Sequence, residues 1–116
     1  MSWNPLEELA GIDQIREASM TKPQLIFKHS TRCGISASAK WRMDADLGSL
    51  ASEFDVHFLD LLSHRDISNQ IADTFGVYHQ SPQILLIHQG ESVYDASHGA
   101  INPDTLLKKK ASLTTN

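Results

Sequence analysis

The chain has 116 residues, the usual size of one domain and enough to bury a core without disulfide or metal staples, so a single domain over 1–116 is expected. Ten basic against 14 acidic residues give a net charge of −4 with no basic stripe, which argues against general nucleic-acid binding, and a single cysteine excludes an internal disulfide. Glu7, Glu8, Asp13, Arg16 and Glu17 interrupt the first apolar positions, so neither a signal-peptide core nor a membrane span is expected, and a reducing cytoplasm fits best.

In chain order, Asn4-Pro5 with Glu7 and Glu8 reads as a helix start, interrupted at Gly11, with Ile12 and Ile15 on a second helical piece ending before Lys22-Pro23. Gln24 to His29 holds three successive apolar residues, as in a strand covered on both faces. From Ile35, the stripe Ile35, Ala39, Met43, Leu47 and Leu50 predicts a helix that bends or ends near Gly48. Phe54 to Leu61 reads as a second strand, in parallel crossover with the first. Ser63-His64-Arg65-Asp66 resembles a capping box for a helix carrying Ile67, Ile71 and Phe75, with Gly76 as its C′ residue.

Ser81-Pro82 then leads into a strand from Gln83 to His88, and Gln89-Gly90 closes a hairpin with an antiparallel partner, Glu91 to Asp95. Asn102-Pro103 starts a last helix with Leu106 and Leu107 inward and Lys108-Lys109-Lys110 in its final turn, fraying from Ala111. The expected architecture is α/β: a four-stranded mixed sheet flanked by helices, with an N-terminal helical extension.

The chemistry-bearing stretch is Lys28 to Ser36, where the lone Cys33 falls between a strand and a helical pattern. A thiol in the first turn of a helix meets unpaired N–H groups and the positive end of the macrodipole, both favouring thiolate, which is the reactive form. A lone cysteine is often an inert small hydrophobe, but one at such a junction, flanked by Thr31, Arg32 and Gly34, is placed for sulfur exchange. Thr31, Arg32, Gly34 and Ser36 are the candidate thiolate-supporting residues. Ser36 cannot serve as the second sulfur of a C-x-x-C pair. Lys28 and Arg32 otherwise read as ordinary surface charges, Arg32 being the better candidate for a ligand carboxylate. The six histidines are scattered without zinc-site spacing, so no metal site is expected.

The cysteine on the first strand-to-helix turn, the X-Pro before the third strand and the glycine-containing loop after the fourth together resemble the thioredoxin fold in its glutaredoxin-sized form. That resemblance implies a cis peptide at Ser81-Pro82 and a proline loop facing the thiol. More narrowly, Phe27 to Ser36 resembles the FKHSTxCPIS motif of the monothiol bacilliredoxins of the bacillithiol system, with Ser81-Pro82-Gln83, Ser97-His98 and Ile101 also at family-like places. This implies Cys33 as catalytic nucleophile, Ser81, Pro82 and His98 as substrate-binding residues, bacillithiol as co-substrate with no tightly bound cofactor, and bacillithiolated client proteins as partners.

Gly34 departs from the family's proline and makes Cys33-Gly34-Ile35-Ser36 look like the CGFS motif of monothiol glutaredoxins. That keeps open a [2Fe–2S] carrier, in which two thiolates of a dimer and two small thiols hold the cluster. A redox-inert adaptor using the same fold is the third reading.

Overall fold

The computed structural model describes residues 3–32 and 34–113. Its centre is the strand the apolar run predicts. Gln24–His29 is buried at all six positions, because helices cover both of its faces. Leu25 and Phe27 point to one side and pack with Ala39, Met43, Leu50 and Leu106, while Ile26 points to the other and packs with Ile12, Ile15, Ile67 and Ile71.

In order, the elements are β1 (Asn4–Pro5), α1 (Ala10–Ala18), β2 (Gln24–His29), α2 (Gly34–Ala45), α3 (Leu47–Glu53), β3 (Asp55–Asp60), α4 (Arg65–Phe75), β4 (Gln83–His88), β5 (Glu91–Ser97), a 3₁₀ turn (His98–Ala100) and α5 (Pro103–Leu113). The sheet order is β1-β3-β2-β4-β5. β2 runs parallel to β3 and antiparallel to β4, and β5 completes the hairpin.

The sheet therefore has five strands among the described residues, not four. The extra one lies where a helix start was expected: Asn4 and Pro5 pair in parallel with His57 and Phe58, and the Leu6 N–H donates to the Phe58 carbonyl at 2.8 Å. Packing overrides the cap-like sequence here. The Trp3 ring lies 5.6 Å from Phe27 and 6.2 Å from Phe58, Leu6 is buried, and an edge strand tolerates proline. Gly11 does not interrupt a helix either. It sits in the first turn of α1, where a Cβ would stand 2.6 Å from Leu6 Cδ1, so its bareness lets the helix close over Leu6.

Further along, the helical stripe breaks at Asp46, whose φ of −114° is not helical, rather than at Gly48, which lies inside α3. Leu47 and Leu50 still point inward. The expected capping box before α4 does not form: the His64 side chain makes no cap bond, and Ser63 Oγ donates instead to Asp60 Oδ2 at 3.2 Å. The hairpin turn follows the expectation, with Gln89 and Gly90 both at positive φ. Asn102 Oδ1 accepts from the Asp104 N–H at 2.8 Å, but α5 continues past Ala111 to Leu113, which packs against the core while Lys110 pairs with Glu53.

Gly76 ends α4 at φ 65° with open space where a Cβ would go, so its requirement is purely one of backbone conformation. Gly76→Ala should therefore cost about 1 kcal/mol in urea unfolding with an unchanged m-value.

Candidate functional site

The site is built at the end of β2, where the chain turns into α2. Cys33 itself lies outside the described residues, but both chain neighbours are placed. Arg32 is exposed, and Gly34 is the first residue of the twelve-residue α2. Thr31 is exposed too, and Arg32 makes no ion pair among the described residues. A Cβ at Gly34 would meet nothing within 4 Å, so packing does not demand glycine there.

Ser36, in the first turn of α2, is fully buried. Its Oγ accepts from the Ser30 N–H at 3.0 Å and lies 2.7 Å from His29 Nδ1. Burial lowers the His29 pKa below 6.5, with Lys40 adding to the effect and Asp60 opposing it. At neutral pH the imidazole is thus uncharged, and its Nδ1 takes the one hydroxyl proton Ser36 has to give. If the imidazole is protonated, Nδ1–H donates instead, and the serine proton is released for another acceptor.

The second wall is the loop before β4. The Ser81-Pro82 peptide is cis and Pro82 is buried. Because Gln83 pairs with Lys28, Pro82 stands beside the last residue of β2. His98, at φ 54°, donates its N–H to the Pro82 carbonyl at 3.1 Å, and Arg42 of α2 donates to the carbonyls of His98 and Ile101 at 3.1 and 3.2 Å. Arg42 thus ties the helix that starts after Cys33 to the loop beside Pro82. It was not singled out from the sequence, where nothing distinguishes it from any other helical arginine. Ser81 Oγ is buried without a partner among the described residues.

Lys28 is a correction to the surface-charge reading. It is 0 % exposed, and its ammonium donates to the Ser68 carbonyl at 3.1 Å and approaches His79 Nδ1 at 3.3 Å, with no carboxylate at ion-pair distance among the described residues. Burial alone lowers its pKa to about 8. Its strand neighbour Gln83 is 1 % exposed. The amide nitrogen of Gln83 donates to the Tyr78 carbonyl at 3.0 Å, while its oxygen has no partner among the described residues. The one sequence signal for Lys28 was positional: in a strand covered on both faces, a lysine inside the apolar run has no route to solvent.

A polar cleft of about 420 Å³ lined by Gln24, Asp55 and His57 lies at the other end of the strands, since Gln24 and Asp55 begin β2 and β3. Its groups bond to one another, His57 to Gln24 at 2.7 Å and Gln24 to Asp55 at 2.8 Å. Among the described residues no three His, Asp or Glu side chains converge as metal ligands, and no helix is long and apolar enough to cross a membrane.

A mixed sheet of this order, with a cis-proline loop beside the strand that runs into α2, defines a thioredoxin-fold thiol oxidoreductase. More closely, residues 4–106 match the model of the monothiol bacilliredoxin BrxC family, and the chain belongs to that family. It is similar to a solved structure described as a candidate oxidoreductase with a thioredoxin fold, at 31% identity over 90% of each chain and a TM-score of 0.79. Thioredoxins share the fold at lower identity. That of Fasciola hepatica matches at 15% over 94% of this chain and 97% of its own (TM-score 0.71), and that of Trypanosoma brucei brucei at 13% over 99% and 93% (TM-score 0.76).

The buried lysine gives a pH signature. Between its folded pKa of about 8 and the ordinary 10.5, the unfolded chain keeps a proton that the folded chain has lost, so rising pH favours the fold over that window. Lys28→Met lacks this contribution. Its stability relative to wild type should fall by on the order of 3 kcal/mol across the window in urea titrations, and should be independent of pH below it.

Proposed function

We propose that the chain removes a low-molecular-weight thiol, bacillithiol, from protein mixed disulfides through a mixed disulfide on Cys33. The thiolate of Cys33 attacks the small-thiol sulfur of the client's disulfide; that S–S bond breaks, and the client leaves as a thiolate that takes a proton from solvent. A second small thiol, as thiolate, then attacks the small-thiol sulfur on Cys33. The small-thiol disulfide departs and Cys33 is released. A second cysteine is unnecessary, and the chain has none.

The observation that carries the reading is the pairing of a one-cysteine strand-to-helix junction, in a chain of the monothiol bacilliredoxin family, with a cis-proline loop beside it. Cys33 precedes the first residue of a twelve-residue helix, whose free N–H groups favour a thiolate. Exposed Arg32 is available to a carboxylate of bacillithiol's malate group, and Thr31 and Gly34 border the same turn. Opposite, Ser81 Oγ lacks a partner among the described residues and the Pro82 carbonyl is already taken by His98, which leaves the Ser81 backbone for an extended client segment. Ser36 acts on this site through His29. The setting is a reducing compartment, the cytoplasm, where a single thiol persists.

The thiolate absorbance of Cys33 should titrate below the free-cysteine value of about 8.5. With a bacillithiolated client and no added thiol, intact mass should show one small thiol transferred to Cys33 and no further turnover; added bacillithiol should restore turnover, and Cys33→Ser should abolish both steps. Sustained turnover without an added thiol, or full activity in Cys33→Ser, would rule the cycle out. Stable cluster absorbance with a dimeric mass after anaerobic reconstitution with iron, sulfide and a small thiol would favour the CGFS-like carrier instead. A Cys33 that neither titrates low nor accepts the small thiol would favour the inert adaptor.

A further inference from the structure

The loop that carries Ser81 and Pro82 is pinned at its ends, where Val77 packs on the core and donates to the Ala72 carbonyl and the Pro82 carbonyl accepts from His98; between them, polar side chains hold it. Residues 78–81 make no backbone–backbone hydrogen bond among the described residues. Tyr78, the one large apolar side chain there, is 85 % exposed and anchors nothing. Residues 78–81 are reached by the cross-strand pair Lys28 and Gln83, whose side chains share the face of the sheet under α4, and by the Ser68 hydroxyl of α4, which lies 3.2 Å from His79 Nδ1. Lys28 meets His79 at 3.3 Å and is itself fixed to α4 through the Ser68 carbonyl, and Gln83 donates to the Tyr78 carbonyl.

This arrangement is costly, which is why it points to function. An ammonium buried without a carboxylate loses hydration that two neutral acceptors only partly replace, whereas a methionine would fill the same volume without that loss. The lysine therefore adds little to the fold that an apolar residue could not, but it supplies a donor to the loop that an apolar residue lacks.

We infer that Lys28 and Gln83 form a latch that holds the 77–82 loop against the sheet and so sets the position of the Ser81-Pro82 wall for the client disulfide, making Lys28 a positioning residue for exchange at Cys33. The inference rests on the thiol-exchange reading for its catalytic meaning; the latch itself rests on geometry alone. The latch requires a neutral His79 with its Nδ1 lone pair facing the lysine, and an asparagine at this position carries an oxygen where Nδ1 stands.

The test compares wild type, Lys28→Met, His79→Ala and His79→Asn, each verified as folded by its thermal transition. Backbone ¹⁵N order parameters of residues 78–81 should drop from about 0.85 toward 0.6 in Lys28→Met and His79→Ala, and be largely restored in His79→Asn. In the same two variants kcat/KM for a bacillithiolated client should fall about tenfold, while Cys33 alkylation by iodoacetamide stays within about twofold of wild type. Unchanged order parameters in Lys28→Met, or His79→Asn as loose as His79→Ala, would overturn the latch. A loosened loop with unchanged kcat/KM would overturn the positioning role, as would alkylation falling in step with kcat/KM, because the lysine would then act on the thiolate directly. A wild-type chain that exchanges no thiol would overturn the thiol-exchange reading and the catalytic meaning of the latch with it, and the order parameters would still decide whether the latch exists.

Discussion

Every residue of β2 is buried, yet Gln24, Lys28 and His29 are polar, and a polar group taken out of water must find partners inside the protein. That demand organises the structure around the strand. Gln24 bonds to Asp55 and His57 and so joins β2 to β3 at the far end of the sheet. Lys28 reaches α4 and the loop before β4. His29 reaches Ser36 and thereby the first turn of α2. Hydrophobic burial holds the layers together, but it is non-directional, and these three side chains fix where the neighbouring elements stand.

Alternation along the strand makes this useful. Consecutive residues of a strand point to opposite faces, so Lys28 and His29 reach different elements from neighbouring positions. On one face His29 meets Ser36 in the first turn of α2, and on the other Lys28 and Gln83 bond to the loop that leads to Pro82. Arg42 and His98 close the remaining side by linking α2 to the Pro82 carbonyl.

The elements best read from the sequence were those whose pattern is local. The uninterrupted apolar run gave β2, the stripe from Ile35 gave α2 and α3, Gly76 marked the end of α4, and Gln89-Gly90 marked the hairpin. The misread N-terminus shows the converse. Asn4-Pro5-Leu6 satisfies the rules for a helix start, but Trp3 and Leu6 gain more by packing on Phe27, Phe58 and α1, and those partners are far along the chain or set by the shape of the fold. Likewise Ser63 had a competitor for its hydroxyl in Asp60, which only the turn after β3 brings near.

For the site, the sequence alone determined that there is one cysteine, that it falls between the run that forms β2 and the stripe that forms α2, and that an X-Pro step precedes β4, because each depends on residue type and order along the chain. The tertiary structure decided what surrounds them. Ser36 could be read as a helix residue beside a thiol, but its commitment to His29 and the Ser30 N–H depends on how α2 docks on β2. Lys28 carries the same letter buried or exposed. Its meaning changed only when α4 and the 77–82 loop were found to cover it, because burial of a charge depends on the neighbours that replace its water, and those neighbours lie about 40 and 51 residues away in the chain.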